Sequence, residues 1–373
     1  MSTHHIEPPQ KSISEIAKYL KNLVPANIPE TYTLKPMFKN VASEEDIRNG
    51  VIAFRDFLNL FYDHLISEGH LYFKLQKKPK SATDYPFLYN ITDLLADIGY
   101  YGKLSENGDA LVITELPSFI PSIDEKGNKI KAKNSFSKLI ECLRFLSICG
   151  FSFNGIDLNA KKLKNTDFKL LEVTYPKASI LLTGLKALSI ADIELRTKRY
   201  KNDYNHDNLL LCDYRLMKED ETDVIDILKD FLHPLPEKVQ KFALDLHHHY
   251  IDMGMTCVTI ISIFEIHFAY LYIKNNGRIS SSRNLYQRRI WEFSLCARYG
   301  YCLVVRAKKT DKYAEVIKKF PLDLQEKITT GYGCDRKLRN EPCQKGCQGI
   351  RIPLNDSILN MGKNIEAWLD NEV

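Results

Sequence analysis

The sequence predicts an α+β protein: tandem helix-plus-β-hairpin units of winged-helix-like outline, followed by a C-terminal antiparallel meander sheet packed by helices. Three observations carry this expectation. The first is a pattern written twice between residues 84 and 176. Phe87 to Gly99 and Lys138 to Gly150 each read as a short amphipathic helix stopped by a glycine. A hairpin-like stretch follows each, around Asn107-Gly108 in the first and closing at Glu172–Pro176 in the second. With Gly99 laid on Gly150, Leu88 meets Leu139, Ile91 meets Cys142, and Leu94-Leu95 meets Phe145-Leu146. The second observation is a set of apolar, β-branched or aromatic runs at 256–273, 289–297 and 301–307, preceded by two helical patterns. That order is typical of an antiparallel sheet packed by helices. The third is bulk: 373 residues with 44% hydrophobic and 27% charged side chains can build two or three cores of ordinary globular composition. The expected domains are an N-terminal helical segment (1–80), the duplicated helix–hairpin domain (81–220) and a C-terminal α+β domain with a Cys-rich loop (221–373).

The elements follow in order. Ile13, Ile16, Ala17, Leu20 and Leu23 have helical spacing, and Pro25 stops that helix. Ser43 with the acidic Glu44, Glu45 and Asp46 is a strong helix start, leading into the stripe Ile47, Val51, Phe54, Phe57-Leu58, Phe61, Leu65. Leu71 to Leu75 alternates briefly like a strand, and Lys77 to Lys80 reads as a linker. After the two helix–hairpin units, Pro176 opens a third helix that ends in the basic Arg196 to Lys201, and Leu209 to Leu216 reads as a strand. Helices are expected at 222–232, 236–252 and 311–329, the last with a kink at Pro321. A final helix opens at Asn355-Asp356-Ser357.

The C-terminal order of helix, three-stranded meander and then Tyr313 to Leu322 resembles the small α+β domains of the YdhG and TfoX N-terminal type. The block from Gly331-Tyr332-Gly333-Cys334 through Cys343 to Gly349 is similar to the ends of a clostridial protein family. The likeness covers about 140 residues of this chain. It implies a fold and a bacterial, Firmicute origin, and it transfers no catalytic residue.

Composition excludes some function classes. A formal charge of +5 is too small to mark a nucleic-acid binder by itself, because clustering matters more than the sum. The N-terminus has no basic segment followed by an apolar run, and the most apolar stretch, 253–273, is interrupted by Glu265 and His267. A cytoplasmic protein without a membrane span is therefore expected, its nine cysteines mostly reduced. No P-loop, GxGxxG fingerprint, GxSxG elbow or HExxH helix is present.

Several constellations could carry chemistry. Cys334, Cys343 and Cys347 sit among glycines, and thiolate triplets are typical of structural zinc. Cys302, Cys296 or a histidine could complete four ligands; a disulfide or free packing thiols are the alternatives. Three consecutive histidines, 247–249, point about 100° apart on a helix and cannot converge on one metal. Among them His249 lies near the apolar stripe, as a partly buried packing residue. Asp245 with His249, or His248 with Asp252, has the spacing of a helical pair. Glu265 and His267 share a strand face that, with Glu292, could line a polar ligand pocket or simply a solvated sheet face. Basic clusters flank the helix–hairpin units: Lys129, Lys131 and Lys133; Lys161, Lys162 and Lys164; Arg196, Lys198 and Arg199. These are the residues expected to meet the phosphates of double-stranded DNA, with solvated loop lysines as the plain alternative. The two repeat helices themselves carry few bases, only Lys138 and Arg144. The resulting expectation is a non-enzymatic, nucleic-acid-associated or regulatory protein whose C-terminal domain takes a protein partner or a small ligand. A small-molecule-binding protein or enzyme built on the C-terminal sheet, and a structural interaction protein, are the alternatives.

Overall fold

The computed structural model describes residues 12–71, 86–123, 126–159, 168–195, 209–220, 222–261, 265–273, 288–296, 299–308, 310–330 and 349–373. The chain is α+β, with a four-stranded and a five-stranded antiparallel sheet, the second a C-terminal meander. It divides into two compact units at Asp223.

The first unit opens with α1 (Ile13–Leu23), started by a reciprocal capping box. Ser12 Oγ accepts the Glu15 amide at 3.2 Å, and the Glu15 carboxylate accepts the Ser12 amide at 2.8 Å. Ser43 caps α2 (Glu44–Glu68), its side chain accepting the Asp46 amide at 3.1 Å. The stripe from Ile47 to Leu65 is buried as its spacing requires. The partner of α2 is α5 (Leu181–Ile190), which is apolar nearly all round and packs on both α2 and α3 (Pro86–Tyr101). Gly50 and Gly184 face each other where α2 and α5 cross, backbone against backbone. Edge-to-face rings extend this core to α4 (Phe136–Ile148): Phe57 meets Phe151 at 5.1 Å and Phe61 meets Phe145 at 5.2 Å.

Both helix–hairpin passages form. Helix α3 leads into β1 (Lys103–Leu104) and β2 (Ala110–Ile113), and α4 leads into β5 (Ser152–Asn154) and β6 (Leu171–Thr174). The second strands of the two hairpins pair antiparallel, Leu111 opposite Val173, which gives one sheet of order β1-β2-β6-β5. Leu111, Ile113, Leu171 and Val173 face the core, whereas Lys103, Ser152 and Asn154 are exposed. A small separate hairpin, β3 (Ser122–Ile123) with β4 (Lys129–Ile130), lies between β2 and α4.

Several sequence expectations fail here. Gly99 does not stop its helix, which runs on to Tyr101. A Cβ there would lie 2.1 Å from Ser189 Oγ and 2.7 Å from the Leu185 carbonyl, so this glycine serves the α3–α5 contact. The stop comes at Gly102, and the last carbonyls of α3 are capped by the ammonium of Lys186, 2.6 Å from the Gly102 oxygen. Nor is Leu209 to Leu216 a strand. Leu209, Leu210, Leu211 and Cys212 are all buried, so no alternation separates two faces. The chain turns at Cys212, whose φ is +51°, and passes into a 3₁₀ turn over Tyr214–Met217. The Tyr62 hydroxyl donates to the Leu210 carbonyl at 2.7 Å. The third helix begins at Leu181 after turns, five residues later than Pro176 suggests. Of the strand expected at 71–75, Leu71 closes a 3₁₀ turn and the rest lies outside the described residues.

The second unit holds α6 (Val224–Leu232) and α7 (Glu237–Asp252), then β7 (Thr256–Ile261), β8 (Glu265–Leu271), β9 (Trp291–Cys296) and β10 (Gly300–Val305). The meander has five strands where three apolar runs were read. The first run is too long for one strand and folds into the β7–β8 pair, and β11 (Ile350–Pro353) joins the edge of β10. The expected 311–329 helix is interrupted at Pro321, giving α8 (Ala314–Ile317) and α9 (Leu322–Thr330). Asn355 caps α10 (Asp356–Leu359), and α11 (Gly362–Glu372) follows as a separate helix. One sheet face is aromatic and packs on helices. Phe231 of α6 lies 4.9 Å from Phe268, and Tyr250 of α7 lies 5.3 Å from Trp291. The register puts His267, Ser294, Glu292 and Val304 together on the other face.

Candidate functional site

In the first unit, α3 moors the β3–β4 hairpin at both of its ends. Asp93 and Asp97 are four residues apart and so share one helix face. Asp97, 5% exposed, accepts the Ser118 amide at 2.9 Å and the Ser118 hydroxyl at 3.0 Å. Asp93 accepts Lys133 Nζ at 2.8 Å and Asn134 Nδ2 at 2.9 Å. The Asn134 amide donates to the Ser118 carbonyl at 2.8 Å, closing the loop base between the two anchors. Beyond this base Gly127 adopts a φ of +83°, and Lys126, Lys129 and Lys131 are exposed. Ile130 stands out with them at 48% exposure. Burial raises the Asp97 carboxyl to about 7; the Ser118 hydrogen bonds and Lys133 oppose that rise, and Asp93 adds to it.

The expected phosphate contacts therefore differ in kind. Lys129 and Lys131 project from the hairpin, whereas Lys133 holds Asp93. Lys161, Lys162, Lys164, Arg196, Lys198 and Arg199 lie outside the described residues.

On the C-terminal sheet, His267 and Glu292 are brought together, with His267 Nδ1 3.4 Å from Glu292 Oε1. They form neither an open pocket lining nor a solvated face, because both are buried. Arg289 Nη1 lies 2.5 Å from Glu292 Oε2, and Arg306 Nη2 bonds the other carboxylate oxygen. Burial opposes the Glu292 charge, but Arg306, His267 and Arg289 together hold its carboxyl well below the usual range. Glu265 pairs with Cys296 in the backbone ladder. Sequence reasoning joined neither arginine to Glu292. Arg306 follows Val304, the ladder partner of Glu292, by two residues and so returns to the Glu292 face; that signal needs the register, which the sequence does not print.

The histidine run also resolves differently. His247 is the buried member, and its Nδ1 shares a 2.7 Å hydrogen bond with the Tyr270 hydroxyl, while His249 is about half exposed. Asp245 pairs with Lys241 at 2.9 Å, and His249 lies 3.7 Å from Asp370. Burial, and then His248, lower His247 to about 4. A folded value depressed below the usual 6.5 means that the contribution of neutral His247 is present above about 6.5 and lost as pH falls toward 4. We expect urea titrations to find this unit weaker at pH 4.5 than at pH 7 by up to about 3 kcal/mol. His247→Gln should flatten that dependence. Equal pH slopes for the two proteins would refute the assignment.

Cys142, Cys149, Cys212 and Cys257 are buried free thiols, Cys302 is buried with its Sγ 3.6 Å from the Tyr299 carbonyl oxygen, and burial pushes Cys257 up to about 12, where it is inert. Cys334, Cys343 and Cys347 lie outside the described residues. Among the described residues no group of three His, Cys, Asp or Glu side chains could hold a metal ion, and no helix is long and apolar enough to cross a membrane. Compared with models of known protein families, with curated proteins and with solved structures, the chain finds no match in any of the three.

Proposed function

We propose that this protein binds duplex nucleic acid through the hairpin of residues 118–134, as a non-enzymatic, nucleic-acid-associated or regulatory protein. The observation that carries this reading is the mooring of the hairpin base to α3 by Asp93 and Asp97. A lysine-bearing loop that must order itself on binding loses affinity to entropy, whereas one already fixed at both stems loses less. Strand alternation places Lys129 and Lys131 on one side and Ile130 on the other. Lysines meet phosphates as point charges that carry no sequence information, and no arginine stands on the described part of the hairpin to grip a guanine edge. Phosphate contact is thus the main part of this binding. As part of this reading, the two helix–hairpin passages are copies of one winged-helix-like unit, a duplication tested by superposing 87–115 on 138–173.

The test is fluorescence anisotropy of labelled random duplex DNA across a salt series. Two phosphate contacts, from Lys129 and Lys131, predict a loss of affinity of roughly 12-fold between 50 and 200 mM salt. The Lys129→Glu, Lys131→Glu double variant should reduce the slope by about two. Absence of binding at low salt would sink the reading.

A second reading, small-ligand binding on the C-terminal sheet, is favoured by the burial of Glu292 between Arg289 and Arg306 beside His267. Ion clusters of this kind are costly to bury, and shifted titrating groups gather at ligand sites. It predicts no salt-dependent duplex binding and a rise in melting temperature with a bound small molecule.

A further inference from the structure

The β3–β4 ribbon carries different chemistry on its two faces. Its register sets Ile123 opposite Lys129 and Ser122 opposite Ile130. Alternation then puts Lys129 and Lys131 on one face and Ile130 on the other. All three are exposed, Ile130 with about half of its surface in water. The ties to α3 lie at the base, through Ser118, Lys133 and Asn134, while Lys129, Ile130 and Lys131 stand in solvent beyond it. Asp124 and Glu125 precede Lys126 in the sequence, so net positive charge builds only past them, along the second strand. A lone exposed isoleucine on an ordinary surface needs no explanation. This one stands between two lysines on a ribbon already fixed at its base.

We propose that this ribbon lies flat in the major groove of duplex DNA, with Ile130 against thymine methyl groups. The proposal rests on the nucleic-acid reading above and deepens it by naming the groove and the base feature. The major groove is about 12 Å wide and 8.5 Å deep, and it admits a two-stranded ribbon whose strands lie about 4.8 Å apart. Its chemistry is layered: phosphates line the rims, and the floor displays base edges, among them the C5-methyl of thymine. The ribbon is layered in the same order. With Ile130 turned to the floor, Lys129 and Lys131 point away from it, and their four-carbon stems reach the phosphates at the rims. Turned the other way, the ammonium groups would face the bases and the apolar side chain would stay in water. A flat or convex partner covers one face only. The minor groove displays no methyl group, and at about 6 Å it is narrow for a paired ribbon.

The test compares anisotropy titrations of the full chain with one A·T-rich duplex and with the same duplex carrying uracil for thymine. Uracil lacks only the methyl group, so pairing and phosphate charge are unchanged. The thymine duplex should bind about fourfold more tightly for each methyl group that Ile130 covers. Both duplexes should show the same salt slope, set by Lys129 and Lys131. Ile130→Ala should remove the preference and leave the slope, and Ile130→Val should keep part of the preference. Both variants should fold, since the side chain is about half exposed. Absence of binding to either duplex at low salt overturns the nucleic-acid reading and the docking with it. Binding without a preference for thymine overturns the docking alone and leaves the phosphate contacts standing. A preference that survives in Ile130→Ala also overturns the docking, because another residue then reads the methyl group. A thymine preference that disappears in Ile130→Ala upholds both.

Discussion

Gly184→Ala is expected to destabilise the first unit by about 3 kcal/mol or more, although alanine is the better helix former by about 1 kcal/mol. The contact decides the sign. A Cβ on Gly184 would lie 2.1 Å from both the carbonyl carbon and the oxygen of Gly50, and a Cβ on Gly50 would lie 2.4 Å from the Gly184 nitrogen. Backbone on both sides has no rotamer to change, so α2 and α5 must move apart. The separation loosens buried neighbours along the seam, among them Val51, Phe54, Leu181, Leu185 and Leu188. In a close-packed interior such a gap forfeits dispersion contacts over its whole length. Gly108→Ala is the matched control: its φ is +68° with open space around it, so the cost should be only about 1 kcal/mol of backbone strain. Urea denaturation midpoints compare the two directly. A Gly184→Ala protein as stable as the unaltered chain would mean that the helices do not meet at this pair.

The same glycines explain what the sequence could not disclose. Gly99 and Gly184 look like helix stops or weak points by local propensity, yet each stands inside a helix because another helix touches it. Proximity between chain segments far apart in sequence leaves no local mark. Local signals fared better: Ser43 caps its helix as its acidic neighbours suggest, and Pro321 interrupts its helix. The candidate sites divide along the same line. Lys129 and Lys131 stand out in the sequence as a basic loop, and the sequence offers Glu292 beside His267 as a candidate pair that the register then joins. Asp97 and Ser118 are 21 residues apart, and Glu292 and Arg306 are 14 apart across a strand register. Ser118 and Arg306 read as ordinary polar residues until the fold joins them to their carboxylates. The run from Leu209 to Cys212 failed for a different reason: four consecutive apolar residues specify burial without specifying a strand.

Glu292→Ala should cost the second unit about 3–5 kcal/mol. The carboxylate is 1% exposed and is shared by Arg289 and Arg306, which are themselves 6% and 2% exposed, so neither guanidinium regains bulk water when it is removed. Glu292→Gln should fare little better. Its oxygen can accept from one arginine, but its NH₂ group then points donors at the other. Added salt should not rescue either variant, since ions screen buried charges poorly. A triple variant with Met at 289, 292 and 306 separates structure from use. Removing all three charges together deletes both the attraction and the desolvation penalty, so stability should return to within about 1 kcal/mol of the unaltered protein. If the triple variant folds at full stability, the cluster is not needed for the fold and stays compatible with the ligand-binding reading of this sheet. If Glu292→Ala costs less than about 1 kcal/mol, the carboxylate is not what holds the two guanidiniums. The C-terminal sheet then loses its claim as a built site, and the hairpin of the first unit is left as the surface to pursue.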